Sequence, residues 1–172
     1  MKKILNQDEM RRAISRISHE ILERNEDYKQ IVFLGLVTRG FEIAERLQKR
    51  IFEIEKIQIP VYKLDISNYR DDLKHLDQRV EEIDLPDVDV DEKNVIIVDD
   101  VIFTGRTTRA ALDAIVELGR PSRVQLVALV DRGHREFPIR PDYIGKNIPT
   151  SRDEQVILRL AEVDGVDEVL ID

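Results

Sequence analysis

Residues 95–107 read VIIVDDVIFTGRT, and this stretch decides the fold class. Four apolar residues typical of a buried strand run directly into two adjacent carboxylates, Asp99 and Asp100. A turn containing Gly105 follows, and residues 107–118 then have helical periodicity. A strand, a polar turn and a helix in this order indicate a parallel β-α-β unit, whose ligands bind beyond the carboxyl ends of its strands.

The rest of the chain repeats this alternation of apolar runs and amphipathic helices. The helix at 7–24 has one apolar stripe, with Asn6 and Glu9 as a capping pair. The predicted elements are helix 7–24, strand 31–36, helix 40–51, strand 60–66, strand 95–98, helix 107–118, strand 124–130 and shorter strands at 142–145, 156–160 and 168–171. This order predicts an α/β fold in one domain, residues 1–172, with an open, mostly parallel sheet and helices on both faces.

Composition excludes several classes of protein. The chain has no cysteine, which excludes a disulfide scaffold, a cysteine-based zinc site and a cysteine nucleophile. The apolar run at the N-terminus is too short for a signal peptide, and no window approaches the roughly 18 apolar residues of a membrane span. We therefore expect a cytoplasmic protein with no membrane partner.

The net charge of −8 is unevenly distributed along the chain. Residues 71–94 hold ten acidic and three basic residues, and residues 153–172 hold seven acidic residues and one basic residue. The remainder of the chain carries a net charge of +5. A basic face that binds nucleic acid is therefore compatible with the acidic total.

The residues after the strand at 95–98 have the chemistry of a site for a phosphorylated sugar. Thr104–Thr108 lead into a helix, whose first amide groups attract an anion, and Gly105 lets the backbone approach a ligand closely. The two carboxylates suit sugar hydroxyls or a metal ion. The structural alternative, a capped helix beside solvated acids, leaves the Thr-Gly-Arg-Thr-Thr sequence unexplained. A receiver domain carries its paired acids after the first strand, and a Walker loop needs Gly-Lys, so neither pattern fits.

VIIVDDVIFTGRT resembles the phosphoribosyl pyrophosphate (PRPP) motif of type I phosphoribosyltransferases. Four further segments extend the resemblance, namely RRAISRISHEILERN (11–25), YRDDL (69–73), GRPSRVQL (119–126) and VDRGHREFPIRPDYIGKNIPTS (130–151). Together they are similar to the family of bifunctional pyrimidine operon attenuation regulators and uracil phosphoribosyltransferases. The resemblance covers nearly the whole chain and weakens in the acidic loop and the last twenty residues. It implies the type I fold, in which a small hood accompanies the parallel sheet.

This resemblance implies transfer of phosphoribose from PRPP to uracil, which gives UMP and diphosphate. The implied catalytic residues are Asp99, Asp100 and Arg39. The implied PRPP and nucleotide site consists of Thr38, Arg39, Gly40, Asp99, Asp100, Val101, Ile102, Phe103, Thr104, Gly105, Arg106, Thr107 and Thr108. Mg²⁺ is expected to bind through PRPP, with Asp99 and Asp100 as the candidate protein ligands. Positioning and electrostatics suit this reaction, because charge separates between ribose and diphosphate as the bond breaks.

Phe103 distinguishes the chain from the purine-using relatives of this family. Hypoxanthine-type enzymes have an acid at this position that handles the purine ring proton. A phenyl ring cannot act as a general base, which disfavours a purine substrate. We expect uracil to be recognised largely by backbone groups.

Residues 69–91 resemble the lid that these enzymes close over PRPP to exclude water. Its candidate site residues are Tyr69, Arg70 and Arg79, of which the arginines are expected to reach the pyrophosphate. A solvated acidic loop is the alternative for most of the individual residues in this segment.

Two basic segments match positions at which the regulator family binds a stem-loop in the leader mRNA of the pyrimidine operon. Arg12, Arg16 and His19 lie within about 60° of arc on the predicted N-terminal helix, opposite its isoleucine stripe. Without the resemblance they are ordinary solvated residues, and Ser15 stands where the family commonly has threonine. The implied RNA-binding residues are Ser15, Arg16, His19, Arg24, His134, Arg135, Arg140 and Lys146.

Two functions stay open at this level. The first is an RNA-binding regulator that responds to UMP or UTP, acts by transcription attenuation and also has uracil phosphoribosyltransferase activity. The second is the transferase alone, with basic patches that serve folding or oligomer contacts. An RNA regulator with a silent active site is disfavoured because the PRPP motif is intact. Relatives are commonly dimers or higher assemblies, so we expect a homo-oligomer.

Overall fold

A computed structural model describes residues 1–67 and 85–172 of the chain. The elements in chain order are β1 (Lys2–Leu5), α1 (Gln7–Arg24), β2 (Ile31–Leu36), α2 (Arg39–Glu55), β3 (Val61–Leu64), β4 (Asn94–Ile102), α3 (Arg106–Leu118), β5 (Arg123–Asp131), β6 (Tyr143–Asn147), β7 (Val156–Arg159), α4 (Ala161–Asp164) and β8 (Glu168–Ile171). A short 3-10 helix, Tyr28–Gln30, precedes β2. None of the helices among the described residues is long and apolar enough to cross a membrane.

Five strands form a parallel sheet in the order β3-β2-β4-β5-β6. Alternate side chains of the central strands enter two separate cores, as the pleat requires. Phe33 packs with α1 and α2 on one face, and Leu34 packs with α3 on the other. Both faces of β2 are therefore buried, which explains its continuous apolar run. The predicted α/β fold with helices on both faces is confirmed.

Three more strands form a small antiparallel sheet in the order β1-β8-β7, which is the hood. β1 and α4 were not predicted. β1 begins with two exposed lysines and pairs with β8, at the opposite end of the chain. α4 has only four residues, which is too short for a periodic pattern.

The predicted capping pair of α1 is confirmed in both directions. The Glu9 N–H donates to Asn6 Oδ1 at 2.9 Å, and the Asn6 N–H donates to Glu9 Oε2 at 2.8 Å. This reciprocal pairing satisfies two amide groups at the start of the helix.

The predicted end of the third strand at residue 98 is wrong. β4 continues to Ile102, because Asp99, Val101 and Ile102 still pair with β5. A carboxylate side chain does not interrupt backbone pairing, so the paired acids lie within the strand.

The predicted lid lies mostly outside the described residues, and this includes Tyr69, Arg70 and Arg79. At its predicted C-terminal end, the Val90 side chain is fully buried and Asp91 Oδ1 accepts a hydrogen bond of 2.7 Å from the Arg120 N–H. Val90 therefore packs in the core, whereas Asp91 is exposed and is held by this hydrogen bond.

Candidate active site and basic surface

The start of α2 packs directly against β4 at the carboxyl edge of the sheet. A Cβ on Gly40 would lie 2.3 Å from the Val98 carbonyl oxygen, so only glycine permits this approach. The loop Thr38–Gly40 is thereby held beside Asp99, sixty residues later in the chain. The peptide bond between Val37 and Thr38 is cis. Two predicted parts of the site therefore meet at the edge expected for ligand binding.

The paired acids are held by their own backbone. Asp99 Oδ1 accepts the Asp100 N–H at 2.9 Å, and Asp100 Oδ1 accepts the Val101 N–H at 2.7 Å. Burial, and then the neighbouring charge of Asp100, raise the pKa of Asp99 well above its ordinary value. Such a pair favours a ligand that brings hydroxyl donors or positive charge.

The turn after β4 has the geometry of an anion site. Gly105 precedes α3 with a φ of +92°, a left-handed conformation that favours glycine. Thr104 Oγ1 accepts the Arg106 N–H at 3.3 Å, and the first amide groups of α3 lack partners within the helix. Thr108 Oγ1 is buried and has no hydrogen-bond partner within the described part of the chain. Donors for a phosphate group are therefore gathered at this turn.

A cavity of about 270 Å³ connects Asp99 to this turn. Asp99 and residues 101–108 line it. Its volume lies just below the usual range for small-molecule sites, about 300–1,000 Å³, and suits the phosphorylated sugar rather than a whole nucleotide. A larger groove of about 680 Å³ lies between α1 and α2, but its most buried arginine, Arg46, is already paired with Glu162 and Asp167.

Arg39 connects the Thr38–Gly40 loop to the hood. Its Nε and Nη2 donate to the two carboxylate oxygens of Asp164 at 3.0 and 2.8 Å. This hydrogen bonding lowers the pKa of Asp164 and raises that of Arg39. Sequence reasoning missed Asp164, which lies in the last twenty residues, where the resemblance is weak. Only the packing of α4 against the start of α2 reveals it.

The described residues contain no cluster of three or more His, Asp or Glu side chains that could hold a metal ion by themselves. Asp99 and Asp100 supply two carboxylates, which are oxygen ligands of the kind that Mg²⁺ prefers. Two carboxylates beside an anion site fit an ion whose remaining ligands come from a phosphorylated substrate.

Two of the predicted RNA-binding residues of α1, Arg16 and Arg24, contact β6 or the residue before it, and β6 is an edge strand of the parallel sheet. Arg16 Nη2 donates to the carbonyl oxygens of Gly145 at 2.6 Å and Ile144 at 3.2 Å. Arg24 Nη1 donates to the Asp142 carbonyl oxygen at 2.8 Å, and its guanidinium lies 5.1 Å from the Tyr143 ring centroid. The fold therefore joins two basic segments that are more than a hundred residues apart in the chain.

The other predicted RNA-binding residues differ in exposure. His19, Arg140 and Lys146 are exposed. Ser15 accepts a hydrogen bond from Arg50, and His134 contacts the Thr150 carbonyl oxygen. We call Arg12, Arg16, His19, Arg24 and Lys146 the α1–β6 surface.

Arg135 is directed toward the predicted nucleotide site rather than toward solvent. Its Nη1 donates to the Phe103 carbonyl oxygen at 2.9 Å, and its Nη2 contacts Asp131 Oδ2 at 2.6 Å. Its Nε donates to the Ile139 carbonyl oxygen at 2.7 Å. The role of Arg135 in RNA binding stays a prediction.

Comparison with known proteins agrees with this geometry. The phosphoribosyl transferase domain family matches residues 1–160. Solved purine enzymes share the fold. A hypoxanthine-guanine phosphoribosyltransferase from Bacillus anthracis is 21% identical, with a TM-score of 0.75 over 98% of this chain and 96% of that chain. A hypoxanthine phosphoribosyltransferase from Trypanosoma cruzi is 20% identical, with a TM-score of 0.77 over 99% of this chain and 94% of that chain.

Several relatives with much higher identity are bifunctional PyrR proteins. The one from Halalkalibacterium halodurans is 54% identical over 98% of this chain and 96% of its own length. That from Chloroflexus aurantiacus is 56% identical over 99% of this chain and 94% of its own length. That from Enterococcus faecalis is 50% identical over 99% of this chain and 96% of its own length. The chain therefore belongs to the phosphoribosyl transferase domain family and, within it, to the bifunctional PyrR proteins.

Proposed function

We propose that this protein makes UMP from uracil and PRPP, and that it binds pyrimidine-operon leader RNA under the control of pyrimidine nucleotides. One observation carries the proposal. The paired acids, the Thr104–Thr108 turn and the Thr38–Gly40 loop meet at one edge of the sheet, in a chain at least 50% identical to several bifunctional PyrR proteins.

PRPP binding uses the three parts of this edge. The 5′-phosphate binds the Thr104–Thr108 turn, where helix amides and hydroxyls donate to it. Asp99 and Asp100 accept hydrogen bonds from the ribose hydroxyls. The pyrophosphate binds the amides of the Thr38–Gly40 loop and Arg39, which first leaves Asp164.

In the reaction, the bond from the ribose C1 to pyrophosphate breaks and a bond from C1 to N1 of uracil forms, with loss of the N1 proton. The carboxylates of Asp99 and Asp100 lie near the ribose and favour the positive charge that develops on it. Arg39 receives the negative charge of the leaving group. Asp99 and Asp100 are the residues that would hold Mg²⁺ together with PRPP, and the bound ion would act as a Lewis acid that stabilises the same charge.

Substrate discrimination tests the catalytic half of the proposal. We expect uracil, PRPP and Mg²⁺ to give UMP, and hypoxanthine and adenine to give no measurable product, because Phe103 cannot handle a purine ring proton. Chromatographic separation of the nucleotide products measures both. The double variant Asp99→Asn/Asp100→Asn should stay folded and lose most of the transfer. Robust purine turnover, or wild-type activity in the double variant, would contradict the proposal.

The α1–β6 surface is the proposed RNA site. Its basic side chains come from a helix and from the strand beside it, so that positive charge follows one edge of the molecule. Cationic side chains in such an arrangement bind RNA phosphates, which makes the affinity depend on salt. Attenuation as the mode of regulation, the homo-oligomer and the cytoplasmic location stay predictions.

A transferase without an RNA role is the second candidate, and one observation favours it. Arg16 donates to carbonyl groups of β6, an edge strand whose polar groups need partners, and Arg24 donates to the carbonyl group of Asp142, directly before β6. A structural role alone therefore accounts for these two arginines. It does not account for Arg12, His19 and Lys146, whose side chains are exposed.

A further inference from the structure

Arg132 follows the last residue of β5, and its side chain joins two parts of the site edge. Only 8% of the residue is exposed. The guanidinium carbon lies 3.9 Å from the centroid of the Phe103 ring. Its Nη2 donates to the carbonyl oxygens of Ser151 at 3.1 Å and Glu154 at 2.7 Å. Arg132 thus links Phe103, the residue before the phosphate-binding turn, to residues 151–154.

The backbone of Arg132 makes the same connection. Its N–H donates to the Ile102 carbonyl oxygen at 3.1 Å. Its carbonyl oxygen accepts a hydrogen bond of 2.8 Å from Thr150 Oγ1. Side chain and backbone together hold the end of β4 and residues 150–154 as one unit.

A buried arginine is unfavourable unless specific interactions compensate its desolvation. The hydrogen bonds of Arg132 go to neutral carbonyl groups, and its buried Nε has no partner within residues 1–67 and 85–172. A hydrophobic side chain of similar length would fill this position with a smaller desolvation penalty. Packing alone therefore does not explain an arginine here. Unlike a hydrophobic side chain, arginine places a flat cation over the aromatic ring.

The Phe103 ring is the group through which Arg132 can affect the site. Phe103 lines the cavity of about 270 Å³ together with Asp99 and the phosphate-binding turn. His134 contacts the same ring edge to face, with 6.0 Å between centroids. Arg135 donates to the Phe103 carbonyl oxygen. A change in the position of this ring therefore changes the cavity wall directly before Thr104.

We propose that Arg132 is a positioning residue for phosphoribosyl transfer, which acts through Phe103 to hold the phosphate-binding turn and residues 150–154 in one arrangement. The inference rests on the proposed function and assigns no substrate contact to Arg132. Its effect falls on PRPP, because the turn receives the 5′-phosphate. A misplacement of about 1 Å in a bound reactant reduces rates by as much as 10²-fold.

A double-mutant cycle between Arg132 and Phe103 tests this coupling. Arg132→Met and Phe103→Leu should each raise the KM for PRPP by about tenfold, an order-of-magnitude expectation from the sensitivity of rates to reactant placement. Their combination should cost less than the product of the single effects, because both remove the same contact. Arg132→Lys should not restore activity, since an ammonium group lacks the flat face. Arg120→Met, which replaces an exposed arginine near the opposite edge of the sheet, is the matched control and should behave as wild type.

Thermal unfolding with and without Mg²⁺ and PRPP separates positioning from folding. We expect Arg132→Met to unfold near the wild-type temperature without ligand and to show a smaller rise in Tm with PRPP. The shift in Tm is measured without uracil, so it does not depend on the transfer reaction. If the wild type binds PRPP but makes no UMP from uracil, only the proposed function is overturned, and the role of Arg132 can still be tested. Phe103→Leu tests the same contact if Arg132→Met does not fold.

Two results would overturn the inference. One is an Arg132→Met variant whose Tm without ligand is lowered, but whose KM for PRPP and rise in Tm with PRPP equal those of the wild type. Such a result would show that Arg132 has a purely structural role. The other is a double variant whose loss equals the product of the single losses, which means that the two residues act independently.

Discussion

At the scale of single residues, Asp99 shows that the site is arranged for its ligand rather than for stability. Its carboxyl is buried beside Asp100, and its pKa is raised. The folded protein therefore retains a proton at pH values where the unfolded chain has released it. By linkage, the free energy of unfolding falls as pH rises from the ordinary carboxyl pKa, about 4, toward the raised value.

We predict that Asp99→Asn stabilises the ligand-free protein at pH 8 and has little effect at pH 4. The amide removes a buried charge, and an increase of about 1 kcal/mol corresponds to roughly 2–4 °C in Tm for a chain of this size. Scanning calorimetry across this pH range measures the effect. Asp153→Asn, at an exposed position, is the control and should leave the pH dependence unchanged. A lower Tm for Asp99→Asn at pH 8 would show that the carboxylate stabilises the empty site.

At the scale of elements, ion pairs join the hood to α2. Arg39 binds Asp164, and Arg46, about two turns further along the same face of α2, binds Glu162 and Asp167. The ion pair of Arg39 has a functional consequence, because that guanidinium is also the proposed ligand of pyrophosphate. Asp164 therefore competes with the substrate for Arg39.

We predict that Asp164→Asn lowers the KM for PRPP. An exposed ion pair contributes about 0.2–1 kcal/mol, so the expected change is about two- to fivefold. Initial-rate kinetics at varied PRPP concentration measure it. Glu162→Gln removes a charge from the same short helix without contact to Arg39, and should leave the KM for PRPP unchanged. An increased KM in Asp164→Asn would mean that Asp164 orients Arg39 for the substrate.

The helices and strands also show how much of the fold can be predicted from sequence patterns. All the predicted helices and strands are present, because the cores on the two faces of the sheet impose clear periodicities on them. The end of β4 was misplaced because polar side chains were taken as the end of a strand. β1, α4 and the Arg39–Asp164 contact were missed, since each depends on contacts between distant parts of the chain rather than on a local pattern.

At the scale of the whole molecule, the proposed nucleotide and RNA sites lie on different elements and require a connection. UMP can promote RNA binding only if it binds the RNA-competent conformation more tightly than the other conformation. The segment 132–137 provides a physical link. Glu136 and Phe137 donate their N–H groups to the Thr104 carbonyl oxygen at 2.8 and 3.1 Å, and the chain then continues to β6.

We predict that Thr107→Ala weakens the effect of UMP on RNA affinity without changing the affinity in the absence of nucleotide. The hydroxyl belongs to the proposed phosphate site, and the α1–β6 surface lies elsewhere. Filter binding of leader RNA at varied UMP concentration measures both quantities. A loss of affinity without nucleotide would place Thr107 in the RNA site itself.

RNA binding under the control of pyrimidine nucleotides is tested by the affinity of this protein for pyrimidine leader RNA, measured with and without UMP across a salt series. We predict that UMP tightens binding and that Lys146→Ala weakens binding and reduces the salt slope by about one, because it removes one phosphate contact. UMP synthesis by Lys146→Ala should equal that of the wild type. The proposed RNA-binding role would be contradicted if leader RNA bound no more tightly than an unrelated RNA of the same length and showed no response to UMP. The protein would then be a uracil phosphoribosyltransferase alone.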